Sequence, residues 1–377
     1  MSTIYLDHAS ATPIRPDVLK VMEPYFSQQY ANPGSLHAAG EQAKAAIEDS
    51  RTIIKAILSA GPSDQIIFTG SGTESINLTL KGVVRKGDHI ITTTIEHKAV
   101  LETCDALKKL GCNVTYVPVS KKGTINPKDI EKAITKKTKL ISVMYANNEI
   151  GTIQPIQAIA TIAKKHNILF HTDACQAGSH LTLNTQHLGV DLLSLNASKV
   201  YGPKGVGLLY IKNGVKIKPL IHGGSQEFGL RAGTENVPGI VGFAKALELA
   251  RKEQLKETKR LAELREYFWN SIQKNIPFST RNGDPNHVLP HILNVTFKNT
   301  EGETLLLYLS QKGIYTSTGS ACTAKSIAVS HVLIAIGYKE KDAVGTIRFS
   351  LGKSTTKKEL EYTIKVLKET IQSLRRI

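Results

Sequence analysis

The chain of 377 residues contains 41% hydrophobic and 21% charged residues, an ordinary balance for a soluble globular protein. It has no apolar run near the ~20 residues of a membrane-spanning helix, and its N-terminus lacks the pattern of a secretory signal. The four cysteines lack metal-ligand and CxxC spacing, which predicts reduced thiols in a cytoplasmic protein. The net charge of +16 is scattered and interleaved with acids, so we expect no stable nucleic-acid binding, whereas attraction to anionic partners stays open.

Strand-like and helical segments alternate over roughly the first half of the chain. Strands are predicted at 4–6, 65–69, 89–93, 113–119, 140–145, 168–172 and on both sides of Lys199, and helices at 16–26, 37–58, 73–84, 98–110, 127–134 and 155–166. This alternation predicts an α/β fold whose mostly parallel sheet is covered on both faces. Ligands then bind beyond the carboxyl ends of the strands.

A long charged helix at 240–274 separates this region from a different pattern near the C-terminus. Strands at 292–297 and 345–350 and helices at 303–311 and from 357 predict a smaller α+β domain. We predict a large domain at 13–258 and a small domain formed by 1–12 and 259–377.

Lys199 stands in a short polar turn between two apolar runs of the stretch 190–210. The runs predict two buried strands joined by a tight loop. Burial lowers the pKa of a lysine, as an amine needs for Schiff-base formation with an aldehyde. On spacing alone a solvated turn lysine is the more common case, so other groups must indicate a cofactor.

Three such groups are present. The stretch 70–75, Gly-Ser-Gly-Thr-Glu-Ser, follows a strand and opens a helix, where backbone N–H groups bind phosphate or are simply capped. Asp173 ends a strand, where it suits either a protonated pyridine nitrogen or a helix N-cap. His97 is either a proton-transferring residue that stacks on a ring or a surface histidine. Together with Lys199 they predict a site for pyridoxal 5′-phosphate (PLP).

An ordered set of motifs extends this prediction nearly from end to end of the chain. The set resembles the cysteine desulfurases, which belong to the class V aminotransferase-like group of fold-type I PLP-dependent transferases. The motif around Cys322, well before His331, resembles the branch with a long cysteine loop. The motifs are Tyr5-Leu6-Asp7, Glu96-His97-Lys98-Ala99-Val100, Asn147-Asn148-Glu149-Ile150-Gly151, Asp173-Ala174-Cys175-Gln176, Lys199-Val200-Tyr201-Gly202-Pro203-Lys204-Gly205, Arg231-Ala232-Gly233-Thr234-Glu235-Asn236, Gly319-Ser320-Ala321-Cys322-Thr323 and Ile347-Arg348-Phe349-Ser350-Leu351.

The resemblance implies a role for each residue around the cofactor ring. Lys199 is expected to bind the cofactor covalently and later to shuttle the Cα proton. Asp173 is expected to pair with the pyridine nitrogen, and Gln176 to reach the ring hydroxyl. His97 is expected to stack on the ring and to serve in acid–base steps.

The resemblance also implies a phosphate subsite. Gly72 and Thr73 are expected to hold the phosphate, joined by Thr234 from the second subunit of a homodimer. Asn196 and Ser198 stand where the family usually has the serine and histidine of a Ser-Gly-His triplet before the lysine, and both can still form hydrogen bonds.

The substrate residues follow from the same resemblance. Arg348 is expected to bind the substrate carboxylate, with Asn148 beside it. Cys322 is expected to act as a thiolate nucleophile that takes the substrate sulfur as a persulfide, carried by a mobile Gly/Ser/Thr-rich loop. No metal site is predicted, and a transient role for Cys322 as a cluster ligand stays open.

The resulting hypothesis is a cytoplasmic homodimeric cysteine desulfurase. It would convert L-cysteine to L-alanine and pass sulfur to an iron–sulfur scaffold protein or another acceptor, for iron–sulfur cluster assembly or tRNA thiolation. One alternative is another class V PLP enzyme, a selenocysteine lyase or an aminotransferase, in which Cys322 would be dispensable. The other is a non-enzymatic basic interaction protein.

Overall fold

A computed structural model describes residues 3–318 and 329–375 of the chain. The β-strands are β1 (Ile4–Tyr5), β2 (Gln65–Thr69), β3 (His89–Thr93), β4 (Asn113–Val117), β5 (Thr138–Ser142), β6 (Leu169–Asp173), β7 (Leu192–Asn196), β8 (Gly207–Ile211), β9 (Ser279–Arg281), β10 (Ile292–Phe297), β11 (Ile314–Tyr315) and β12 (Thr346–Ser350). The α-helices are α1 (Pro16–Met22), α2 (Pro24–Ser27), α3 (Ala38–Leu58), α4 (Gly72–Val83), α5 (Lys98–Lys109), α6 (Pro127–Lys132), α7 (Ile156–Lys165), α8 (Thr185–Leu188), α9 (Val237–Asn275), α10 (Gly302–Gln311), α11 (His331–Ala335), α12 (Glu340–Ala343) and α13 (Lys357–Leu374).

The central feature is a seven-stranded sheet with the strand order β2-β8-β7-β6-β5-β3-β4. Strands β3 to β7 pair in parallel, whereas β8 is antiparallel to both of its neighbours, β7 and β2. The prediction of a mostly parallel sheet is confirmed. The connection from β7 to β8, residues 197–206, explains the exception, because it is shorter than the crossover that joins two parallel strands. The carboxyl ends of β2, β6 and β7 therefore share one edge with the amino end of β8.

Both faces of this sheet are buried. Neighbouring residues of β8 belong to different hydrophobic clusters: Leu208 packs with Phe170 and Phe243 on one face, and Leu209 packs with Ile67 and Leu107 on the other. This division follows from the two-residue period of a strand. Continuous apolar strands of this kind are typical of a sheet that is covered by helices on both sides.

A separate hydrophobic cluster lies around a three-stranded antiparallel sheet with the order β12-β10-β9. It contains Phe297 and Phe349 of this sheet, Phe268 of α9, and Ile4 and Leu6 near the N-terminus. Helix α9 spans 39 residues and contributes Phe243 to the first cluster and Phe268 to this one. The two-domain division stays a prediction, which this separation of the clusters supports.

The remaining differences from the sequence prediction have local causes. The single helix expected at 16–26 is divided into α1 and α2, because Pro24 cannot donate the backbone hydrogen bond that would continue α1. Strands β9 and β11 span three and two residues, too few for a period to be recognised. Within the part of the chain that is described, no helix is both long and apolar enough to cross a membrane.

Candidate active site

Lys199 lies at the end of the 3₁₀ turn Ala197–Lys199, directly after β7. Its side chain is part-buried, and Nζ donates to the backbone oxygen of Ser10. Burial lowers the pKa of Lys199, and the positive charge of Arg348 lowers it further, against the opposing effects of Cys175, Asp7 and Asp173. The environment thus favours the uncharged amine that the sequence prediction requires.

Asp173 and His97 lie close to this amine. Asp173 is the last residue of β6, adjacent to β7, and its Oδ1 accepts from the backbone N–H of Cys175 at 3.0 Å. No helix starts at Asp173, so it is not a helix N-cap. His97 instead caps α5 through Nδ1, which accepts from the Ala99 N–H at 3.1 Å. Burial lowers the pKa of His97, Asp173 raises it and Lys199 lowers it, so these three groups lie within electrostatic reach of one another.

The predicted anion subsite lies where β2 turns into α4. The N-cap Ser71 accepts from the Glu74 N–H at 3.1 Å through Oγ, and Glu74 Oε2 accepts from the Gly70 N–H at 2.7 Å. Among the described residues no group accepts from the N–H of Gly72 or Thr73. These two donors at the positive end of α4 are available to an anion.

Two glycines allow the start of α4 to reach the end of β7. A Cβ on Gly207, the first residue of β8, would lie only 2.5 Å from the backbone carbon of Ser71 and 2.8 Å from the N of Gly72. A Cβ on Gly72 would lie 2.6 Å from Cys175 Sγ and 3.3 Å from Asn196 Cβ. Strand β8 lies between β2 and β7, and the missing side chain of Gly207 lets the start of α4 lie close to it.

Asn196 and Ser198, which both precede Lys199, and Gln176 are held by contacts with backbone groups. Asn196 ends β7, and its Oδ1 accepts from the Ser198 N–H at 3.4 Å. The backbone oxygen of Ser198 accepts from both the N–H and the Oγ1 of Thr12, at 2.9 and 3.0 Å. Gln176 Nε2 donates to the backbone oxygen of Ala9 at 2.9 Å.

An N-terminal segment, residues 7–12, crosses the site and makes the contacts with Ser198 and Gln176. Sequence reasoning assigned no role to it. Tyr5-Leu6-Asp7 had contributed to the family resemblance, and that motif was the available signal. The structure shows that the segment contacts Gln176, Ser198 and Lys199 in one region and Arg348 in another.

Arg348 and Asn148 are brought together although 200 positions separate them. Arg348 on β12 donates from Nη1 to the backbone oxygen of Asn148 at 2.9 Å, and from Nη2 to Asp7 Oδ1 at 2.7 Å. The Arg348 side chain is only 3% exposed. Its Nε has no acceptor among the described residues.

Two predicted residues are not part of this arrangement. Thr234 is exposed in the loop before α9, which is compatible with its expected action on a second subunit. Cys322 lies outside the described residues, together with the rest of its motif. Within 3–318 and 329–375, no three His, Cys, Asp or Glu side chains are grouped so that they could hold a metal ion.

The described residues fit PLP. The amine of Lys199 has a lowered pKa and suits the aldehyde, while Asp173 at the adjacent strand end suits the ring nitrogen. The free N–H groups of Gly72 and Thr73 suit the phosphate.

Residues 4–363 match the family described as class V aminotransferases. The chain belongs to this family. Class V aminotransferases depend on PLP, so the match agrees with the donor set of the site.

Relatives of this class V family member resemble it over nearly its full length. The cysteine desulfurase IscS of Dictyoglomus turgidum is 51% identical over 378 residues, which cover 99% of this chain and 96% of the relative. A solved structure of a NifS-like protein is 40% identical with a TM-score of 0.92 and covers 99% of this chain and 100% of its own. A structure of SspA in complex with cysteine is 40% identical with a TM-score of 0.83, covering 93% and 99%. The predicted α/β fold of a PLP-dependent transferase is confirmed.

Proposed function

We propose that this chain is a PLP-dependent cysteine desulfurase that converts L-cysteine to L-alanine and takes the sulfur as a persulfide on Cys322. The observation that carries the proposal is the convergence of Lys199, Asp173 and His97 at one edge of the sheet, within electrostatic reach of one another. The relatives named cysteine desulfurase, and the related structure that contains cysteine, support the choice of substrate.

Bound PLP would supply an electron sink for negative charge at the substrate Cα. The chain would supply the proton transfers and the binding of the substrate. The lowered pKa of Lys199 favours the uncharged amine, which is the form that can take up a proton at Nζ. His97 Nδ1 accepts a backbone hydrogen bond, so in the neutral imidazole Nε2 carries the proton and is the atom that can donate it.

The substrate carboxylate would bind at Arg348, beside Asn148. Arg348 has a buried Nε without an acceptor among the described residues, and its guanidinium has the planar geometry that binds carboxylates. The side chain of Asn148 is half-buried next to the backbone oxygen that Arg348 already contacts.

The other three cysteines support Cys322 as the nucleophile. Burial raises the pKa of the Cys104 thiol to about 12, that of Cys112 above its ordinary value, and that of Cys175 well above it. Only a thiolate attacks sulfur readily, and these three thiols are held in the protonated form. Cys322, in its Gly/Ser/Thr-rich surroundings, is the remaining candidate.

The decisive experiment follows both products of L-cysteine. The purified holoenzyme is incubated with L-cysteine, alanine is quantified, and the persulfide is mapped by mass spectrometry. We expect Cys322→Ser to retain the visible PLP absorption and to lose alanine formation, whereas Lys199→Ala loses the visible band itself. Cys112→Ser is the matched control and should form alanine at the wild-type rate. Undiminished alanine formation in Cys322→Ser would refute this thiol as the nucleophile, and transfer of the amino group to a keto acid would indicate an aminotransferase.

We further propose a homodimer that works in the cytoplasm. Large exposed apolar side chains occur close together in the sequence between residues 19 and 36: Leu19 (52% exposed), Phe26 (61%), Tyr30 (76%) and Leu36 (95%). Exposed apolar side chains that together form one patch usually mark an interaction surface. Light scattering should give the mass of two chains for the wild type, and Leu36→Glu should shift the equilibrium toward one chain. A monomeric wild type would contradict the homodimer.

The sulfur acceptor is proposed as an iron–sulfur scaffold protein or a tRNA-thiolation protein. The chain's net charge of +16 favours an acidic docking surface on that acceptor. Persulfide that is labelled from L-cysteine should move to the true acceptor faster at low salt than at high salt.

A further inference from the structure

The guanidinium of Arg348 is occupied by groups of the chain itself. Nη2 donates to Asp7 Oδ1 at 2.7 Å and to Ser10 Oγ at 2.6 Å, while Nη1 donates to the backbone oxygen of Asn148 at 2.9 Å. The contact with Asp7 is an ion pair whose two side chains are 3% and 18% exposed. Arg348 therefore already holds one carboxylate before any substrate arrives.

The geometry of a guanidinium determines how these hydrogen bonds affect the binding of a substrate carboxylate. A carboxylate binds in bidentate fashion through two neighbouring N–H groups, either those of Nε and Nη2 or those of Nη1 and Nη2. Nη2 takes part in both pairs, and it already donates to Asp7 and Ser10. A substrate carboxylate can bind in this way only if one of these two acceptors gives up its hydrogen bond.

Asp7 and Ser10 are not equal competitors. Ser10 is neutral, and its Oγ also donates to Asp7 Oδ1 at 2.9 Å. Asp7 carries a negative charge, and a second carboxylate on the same guanidinium is repelled by it. The position of Asp7 is set by its backbone, which forms a bridge to Ser350 on β12, two residues from Arg348. The backbone therefore keeps the Asp7 carboxylate within reach of the guanidinium.

We propose that Asp7 is an affinity-determining residue that competes with the substrate carboxylate for Nη2 of Arg348. The inference rests on the proposed role of Arg348 as the carboxylate site. Its consequence is a weaker hold on every α-carboxylate. L-cysteine and L-alanine carry the same carboxylate, so an unopposed Arg348 would bind the product as firmly as the substrate. Asp7 thus lowers the affinity for the substrate carboxylate and, by the same effect, favours release of the product.

The test measures carboxylate binding independently of turnover. Calorimetry on the PLP-loaded protein gives the dissociation constant of propionate, and propionamide serves as its neutral analogue. Asp7→Asn keeps an oxygen acceptor of the same shape and removes the charge. We expect it to lower the dissociation constant of propionate by about tenfold, the effect of one charge-assisted contact, and to leave propionamide unchanged. Asp17→Asn removes an exposed carboxylate that pairs with Arg15, and as the matched control it should bind propionate like the wild type.

A second variant keeps the inference testable if Asp7→Asn does not load PLP. Ser10→Ala removes only the neutral acceptor from Nη2, and it should tighten propionate binding to a smaller extent. Unchanged or weaker propionate binding in Asp7→Asn overturns the role of Asp7, and if that variant does not load PLP, the same result in Ser10→Ala overturns the competition for Nη2. Arg348→Gln separates this outcome from a failure of the proposed carboxylate site. If Arg348→Gln weakens propionate binding, the site is correct and only Asp7 is misassigned, whereas unaltered binding refutes both.

Discussion

Gly207→Ala is expected to disrupt the phosphate subsite from a residue that does not itself contact the phosphate. The new methyl group would lie 2.5 Å from the backbone carbon of Ser71 and 2.8 Å from the backbone nitrogen of Gly72. Both contacts are to backbone atoms, which cannot rotate away as a flexible side chain can. Since non-bonded carbon atoms need about 3.5 Å, the start of α4 has to move away by about 1 Å.

The size of the effect follows from the hydrogen-bond geometry. A shift of about 1 Å lengthens an N–H···O contact from about 2.9 Å to nearly 4 Å, beyond hydrogen-bonding distance. A hydrogen bond to a charged group contributes about 1.5–3 kcal/mol. Loss of one bond from Gly72 or Thr73 therefore weakens PLP binding by about tenfold or more. The crowding itself should destabilise the fold by about 1–3 kcal/mol.

The assay titrates the apoenzyme with PLP and follows the visible absorption, and urea denaturation of the apoenzyme gives the free energy of unfolding. Gly205→Ala is the matched control, because Gly205 has φ +75° and no atom within 4 Å of an added Cβ. It should cost about 1–2 kcal/mol of stability through backbone strain and leave the affinity for PLP unchanged. A folded Gly207→Ala protein that binds PLP within about threefold of the wild type would refute the placement of the phosphate at the start of α4.

Further predictions concern stability, pH and the substrate site. Glu227→Ala removes the buried carboxylate partner of Arg51, which accepts from Nη1 and Nη2 at 3.0 Å, and should lower the free energy of unfolding by about 3–5 kcal/mol in urea. Glu48→Ala, which removes a half-exposed partner of the same arginine, should cost about 1 kcal/mol or less, and equal losses would contradict this. Burial lowers the pKa of His171 from 6.5 to about 4, so between these pH values His171 is protonated in the unfolded chain and neutral in the folded chain. Its contribution to stability is complete above pH 6.5 and is lost as the pH falls toward 4, by up to about 3 kcal/mol. Urea denaturation across this range should show a shallower decline for His171→Gln, and an identical slope would exclude His171 as the cause. Phe349→Leu loosens the packing of the cluster next to Arg348 and should weaken propionate binding more than PLP binding. A larger loss of PLP binding than of propionate binding would contradict the view that different parts of the fold position the two subsites.

The parts of the site that could be predicted are those where local sequence determines position. Asp173 ends a buried strand and Lys199 lies in the turn after the next one, and parallel neighbouring strands place their carboxyl ends at one edge. The stretch Gly-Ser-Gly at 70–72 marked the start of α4, where free N–H groups are expected. Each of these inferences needed only a strand, its end and the residue that follows.

The parts that could not be predicted depend on contacts between distant segments. Asp7 and Arg348 are 341 positions apart, and nothing in the pattern around either residue indicates the other. The position of β8 between β7 and β2 is a property of strand order, which hydrophobic periodicity does not encode. Gly207 could be recognised as a residue that permits close approach only after this order was known.

The two halves of the site depend on different parts of the fold. Lys199, Asp173 and Gly72 are positioned by the seven-stranded sheet, whereas Arg348 and Asp7 are positioned by β12 and the backbone beside it. The N-terminal segment joins them: Ser10 accepts from Lys199 through its backbone oxygen and from Arg348 through its side chain. A substrate that is held by its carboxylate at Arg348 therefore reaches Lys199 only while this segment keeps its contacts with both residues. Because the residues expected to bind the cofactor are positioned by the seven-stranded sheet and α4, changes in the cluster around β12 should alter substrate affinity before they alter PLP content.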